Sequence, residues 1–176
     1  LNEKNSNYNH IIEILINDEK IKSHQEVKAA ILNSCLTENI NNFDLLTQQN
    51  IIMIDGLLYV LNEQEKTAGL FIKLSPYPKN IFVPRSIICE GDEFIVKFIM
   101  ENAFKDSTSI ETVTFPGNSE LISIGKCAFS NSSLEKIIIP SSVTEICEEA
   151  FSGCTDLESI EFPQNSELKI LESKVF

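Results

Sequence analysis

From Leu121 to its last residue the chain repeats itself, and the interval permits few folds. Leu121-Ile122-Ser123-Ile124 leads to Ala128-Phe129, Val143-Thr144-Glu145-Ile146 to Ala150-Phe151, and Leu168-Lys169-Ile170-Leu171 to Val175-Phe176. Between these pairs lies a second unit, Leu134-x-x-Ile137-x-Ile139-Pro140 and then Leu157-x-x-Ile160-x-Phe162-Pro163. One earlier copy of each stands upstream, Val96 to Ala103-Phe104 and Ile110-x-x-Val113-x-Phe115-Pro116. The Ala-Phe steps are 25, 22 and 25 residues and the proline steps 24 and 23. A unit this short cannot bury its own apolar face. It must stack on its neighbours, so a fixed period in the twenties predicts a solenoid.

The alternation within a unit predicts which side chains turn inward. In Leu134 to Pro140, Ile137 and Ile139 share one face, while Lys136 and Ile138 share the other. Pro140 cannot donate to a ladder and ends the strand. Equivalent strands stack at about 4.8 Å into one parallel sheet. The chain then turns, crosses with Val143 and Ile146 inward, and reaches Ala150-Phe151, expected on a short helical turn. The expected core is therefore two columns. Val113, Phe115, Ile137, Ile139, Ile160 and Phe162 line the sheet side, and Ile99, Ile124, Ile146, Phe104, Phe129 and Phe151 the other.

The pattern L-x-x-I-x-I-P followed by V-x-x-I-x-x-x-A-F resembles the BspA-like leucine-rich repeat family, over roughly Ile54 to Phe176. The resemblance implies an α/β-type, β-rich leucine-rich repeat solenoid, curved and used for binding or adhesion, often at a cell surface. It implies no catalytic residue and no cofactor.

Residues before the repeats read differently. Ile11, Ile12, Leu15 and Ile16 fall at helical spacing, and Ser23 with Glu26 forms a capping box ahead of a second helix carrying Val27, Ala30 and Ile31. Residues 43–49 suggest a short third helix. The expected organisation is a small N-terminal helical region or cap over 1–50 and a β-hairpin cap with a connector over 51–80. About three to four leucine-rich repeats over 81–176 follow, truncated at the C-terminus, so that further repeats or a partner would cover that end. Ser75-Pro76-Tyr77-Pro78 makes the connector stiff. Pro84 precedes Pro116 by 32 residues, so the first repeat carries an insertion, with its turn near Glu90-Gly91.

Charge narrows the partners. The net charge is −12, and residues 91–176, with 15 acids against 6 lysines, hold −9 of it. Nucleic acid, which is bound by neutralising phosphates, is excluded as a partner. Anionic membrane surfaces are disfavoured, and no run is long enough for membrane insertion. Cys35, Cys89, Cys127, Cys147 and Cys154 show no paired spacing, which argues for free thiols over disulfides or zinc. His10 and His24 stand apart from any cluster with ligand spacing, and Asn131-Ser132-Ser133 is a lone glycosylation sequon.

With the inward slots used by packing, recognition falls to the outward ones: Thr112 and Thr114, Lys136 and Ile138, Ser159 and Glu161. Just before them Glu111, Glu135 and Glu158 occupy one slot in three successive repeats, which predicts an acidic column suited to a basic protein partner. No nucleophile–base pair, phosphate-cradling loop or metal cluster is legible, and the expected role is a non-catalytic interaction module. The alternative is a structural component of a large assembly such as a cytoskeletal one. Cell-surface location follows from the resemblance, and cytoplasmic or cytoskeletal location from the alternative.

Overall fold

The computed structural model describes residues 50–55, 57–73 and 79–176. The three expected helices, both histidines, Cys35 and the Ser75–Pro78 connector lie outside the described residues.

Three strands open the fold: β1 (Asn50–Ile54), β2 (Leu57–Asn62) and β3 (Thr67–Lys73), paired as an antiparallel meander. Leu57, Tyr59 and Leu61 join the solenoid core, while Leu58 and Val60 point the other way and are buried as well. Next come β4 (Asn80–Phe82) and a hairpin of β5 (Ser86–Cys89) and β6 (Asp92–Ile99). The two loop residues of that hairpin, Glu90 and Gly91, have φ of 54° and 94°. This is the turn whose twist matches the flanking strands, and it is the expected insertion.

From here each repeat supplies two strands. One belongs to the predicted parallel sheet, formed by β4, β7 (Thr112–Thr114), β9 (Lys136–Ile138) and β11 (Ser159–Glu161) in that spatial order. The prolines of the repeat fall just beyond these strands. The other belongs to a second sheet that the periodicity did not announce. There β6, β8 (Ser123–Ile124), β10 (Glu145–Ile146) and β12 (Ile170–Leu171) stack in parallel, and β3 pairs with β6 to join the opening meander to the stack.

The Ala-Phe segment closes each turn, and it is not the helical turn expected. Two hydrogen-bonded turns follow each other, for example Ala128 N–H to Gly125 O at 3.2 Å and Ser132 N–H to Phe129 O at 3.0 Å. The third residue of each is left-handed: Cys127 (φ 52°) and Asn131 (φ 55°), matched by Asn102 and Asp106 one repeat earlier and by Glu149 and Gly153 one repeat later. A left-handed residue at every fourth position interrupts a right-handed helix, so the segment stays a turn. Asp, Asn and Gly fill the second slot because they tolerate that conformation. The segments also bond to each other: Phe104 N–H donates to Ala128 O, Phe129 N–H to Ala150 O and Phe151 N–H to Val175 O at 2.6–2.8 Å.

Packing follows. Phe104, Phe129 and Phe151 are buried and stack face to face, with centroids 5.1 and 5.2 Å apart. The core columns hold at Val113, Ile137, Ile139, Ile99, Ile124 and Ile146, all buried. Three expected members differ. Phe115 and Ile160 are half-buried and Phe162 is 42 % exposed. Phe115 borders a surface groove, while Ile160 lies in the last strand of its sheet and Phe162 directly follows it, with no turn stacked beyond them among the described residues.

Candidate binding face on the four-stranded sheet

The strand register sets out the face as rows running along the solenoid. Asn80, Thr112, Lys136 and Ser159 pair across β4, β7, β9 and β11, and so do Phe82, Thr114, Ile138 and Glu161. These are the two outward slots of the sequence reading, now continued upstream by β4. The row between them, Ile81, Val113, Ile137 and Ile160, points inward, as a two-residue period demands.

The glutamate column is in register too. Glu135 N–H donates to Glu111 O at 2.9 Å and Glu158 N–H to Glu135 O at 2.7 Å. One member was missed. Glu111 N–H donates to Lys79 O at 2.8 Å, so Lys79 heads the column, and its ammonium pairs with the Glu111 carboxylate. The hydrogen bond to Glu111, reinforced by the charges of Glu111 and Glu135, holds the Lys79 ammonium above its usual range. Lys79 precedes Pro84 by five residues, as Glu111 precedes Pro116, so counting back from the proline finds it.

This pairing shifts the acidity along the column. Glu111 is compensated, whereas among the described residues Glu135, Glu158 and Glu161 have no ion pair, and neither has Lys136. The remaining ion pairs serve the frame. Glu120 bridges Arg85 and Lys97, the latter at 2.6 Å, tying the start of the inserted hairpin to the following repeat. Those two cations, Lys97 first, hold the Glu120 carboxyl below the usual carboxylate range. Lys126 pairs with Glu148 at 2.6 Å across the turn ladder.

Members of both rows, Lys136 among them, line a groove of about 500 Å3. Thr114, Ile138 and Glu161 line it together with Pro116, Pro140 and Pro163. Ile138 is 59 % exposed and Phe82, two strands away in the same row, 57 % exposed. Large apolar side chains held in water on one row are a cost to the free protein and a resource for binding.

The other candidate chemistries do not gather. Among the described residues no three His, Cys, Asp or Glu come together as a metal site. Cys89, Cys127, Cys147 and Cys154 are free thiols in separate places. Burial pushes Cys127 and Cys147 above the usual thiol range, and Cys154 donates to Phe129 O at 2.9 Å. The Asn131 amide donates to Asp106 Oδ1 at 3.0 Å along the turn ladder. Among the described residues no helix is long and apolar enough to cross a membrane.

Comparison with known proteins agrees with this architecture. Two solved structures share the fold. The Treponema pallidum leucine-rich repeat protein matches with a TM-score of 0.55 at 22 % identity, over 71 % of this chain and 65 % of that one. The pneumococcal vaccine antigen PcpA matches with a TM-score of 0.51 at 20 % identity, over 68 % of this chain and 40 % of that one. The chain thus spans less than two thirds of either protein. No curated protein matches it in sequence. Residues 93–176 match the family described as BspA type leucine rich repeat region, in six copies. With their stacked strands, their proline and phenylalanine columns and this match, residues 93–176 are a BspA-type leucine-rich repeat region.

Proposed function

We propose that the chain is a non-catalytic interaction module that binds a protein or a surface ligand, in adhesion or recognition, through the outward face of β4, β7, β9 and β11. The observation that carries this reading is the division of labour in the register. Inward slots are consumed by packing, so recognition falls to the outward ones: Thr112, Thr114, Lys136, Ile138, Ser159 and Glu161, with Glu111, Glu135 and Glu158 beside them. Three of the four glutamates lack an ion pair among the described residues, which suits a basic protein partner and steers it toward this face. The strands before Asn80 act in this reading as an opening cap. A cell-surface location accords with the reading, and a cytoskeletal one with the structural alternative.

The test uses two variants of equal net charge. One carries Glu135→Gln, Glu158→Gln and Glu161→Gln; the other carries Glu101→Gln, Glu145→Gln and Glu167→Gln, away from the face. Association with a basic probe protein, hen lysozyme, is followed at low salt and at 0.5 M salt. The first variant should associate several-fold more slowly than the second at low salt, with the gap closing as screening shortens to about 4 Å or less. Equal rates for the two variants would remove the face from consideration.

A further inference from the structure

We infer that the groove beside the acidic column takes an extended segment of a protein partner that presents one bulky apolar side chain to Ile138 and a cationic residue, about three positions away, to Glu135 and Glu158. The inference rests on the reading of this face as the binding surface and specifies what it recognises.

Three observations carry it. First, the exposed apolar side chains are not scattered. Phe162, Ile170, Leu171 and Phe176 belong to the last turn, where nothing stacks beyond them, and Ile88 and Ile122 stand alone elsewhere. Ile138 lies instead in the interior of the stack, in β9 between β7 and β11, and its outward row runs through Thr114 to Phe82, exposed in the edge strand β4. No packing requirement places Ile138 there. Second, Thr114, Ile138 and Glu161 of that row line a groove of about 500 Å3 together with Pro116, Pro140 and Pro163. The proline rings are stiff and lack a backbone donor, so this part of the lining is preformed and apolar. The volume suits one large side chain with the backbone on either side of it.

Third, the charges are segregated. Glu135 and Glu158 begin their strands' rows three residues before Ile138 and Glu161, a distance of about 10 Å at the rise of a β-strand. Three residues of an extended chain lying along the strands cover the same span. Lys136 stands between the two rows without an ion pair among the described residues. It repels a cation set directly over the middle of the face. A uniformly basic chain is therefore disfavoured relative to one whose cation is displaced to the glutamate row. β7 and β9, which line the groove, are each already paired on both sides, so the segment is read by its side chains and not by added β-pairing.

The experiment measures fluorescence anisotropy of labelled peptides with the full chain. The probe is Lys-Ser-Ser-Leu-Ser-Ser-Lys. Its two controls replace leucine with serine, or both lysines with glutamate. The leucine probe should bind about fivefold more tightly than the serine control, and Ile138→Ser should abolish that difference. Ile138 is exposed, so its replacement leaves the fold intact, which circular dichroism checks. Glu135→Gln with Glu158→Gln should weaken both lysine peptides several-fold at low salt and much less at 0.5 M.

Equal binding of the leucine and serine peptides overturns the apolar anchor. Failure of the leucine probe to bind at millimolar concentration does the same. If the glutamate variants still weaken the lysine peptides, the face stands as a binding surface without its groove. If neither Ile138→Ser nor the glutamate variants alter any peptide, the face itself is refuted. Tighter binding of the glutamate peptide, lost on Lys136→Gln, reverses the charge assignment.

Discussion

Phe129 and Phe176 occupy the same slot in two different repeats, and their surroundings differ. Phe129 is fully buried between Phe104 and Phe151, whereas Phe176 stacks on Phe151 with ring centroids 6.1 Å apart and is 64 % exposed. Ile139 and Phe162 make the same pair on the sheet side, one fully buried and the other largely wet. Burial in this fold belongs to the interface between turns and not to the turn. A residue's contribution is set by whether a neighbour lies on both sides of it.

The largest effect that would break or sharpen this comparison is a paired truncation. Phe129→Ala should cost about 3–5 kcal/mol in urea denaturation, because it empties a site packed on both sides. Phe176→Ala should cost less than about 1 kcal/mol, as a mostly solvated side chain does. Similar losses from both would mean that the slot matters more than the neighbour.

Glycines give a middle-sized version. A Cβ on Gly125 would lie 2.7–2.9 Å from backbone atoms of Ile99 to Glu101, one turn away, so Gly125→Ala should cost about 1–3 kcal/mol by forcing turns apart. Gly153 has φ of +72°, and its Cβ would meet Asn131 Oδ1 at 2.2 Å. Alanine there should cost about 1–2 kcal/mol for the left-handed backbone, since the Asn131 side chain can swing aside. Gly117 has nothing within 4 Å, and its replacement should fall within about 0.5 kcal/mol of neutral. Melting temperatures of the three variants should keep that order.

The smallest effect belongs to the acidic column. Glu111→Gln, Glu135→Gln and Glu158→Gln together should leave stability within about 1 kcal/mol, because exposed charges contribute little. The Lys79 pairing adds a sign that can be checked. A lysine whose folded pKa is raised stabilises the fold below the unfolded value of about 10.4 and loses that contribution as pH climbs past the folded value. The alkaline limb of a pH–stability curve should therefore flatten slightly in Glu111→Gln.

Much of this was legible in the chain, for a definite reason. The phenylalanine, proline and glutamate columns repeat because each side chain must meet its own kind one turn away, and that demand leaves a periodic record. The second parallel sheet left little record, since its strands are two residues long in β8, β10 and β12 and offer no alternation to count. The paired left-handed turns were mistaken for a helix because only Asn102, Asp106, Asn131 and Gly153 announce that conformation, while Cys127 and Glu149 do not. Lys79 was overlooked because it follows the proline connector and reads as its tail. Phe162 was assigned to the core by its slot alone, although its strand is the last of its sheet. The groove could not be read at all, since it arises from the spacing of Ile138 and the proline row in three dimensions.

The parallel stacking of both sheets has a mechanical meaning. The hydrogen bonds that join successive turns lie along the long axis of the stack, so a pull on its two ends loads them in tension rather than in shear. Such bonds yield one rung at a time instead of resisting together. Each turn that peels away releases 22 to 25 residues, roughly 80 Å of slack at the span of an extended chain. A stack of this kind lengthens under load in steps, and the turns still in place keep their own interfaces while it does so.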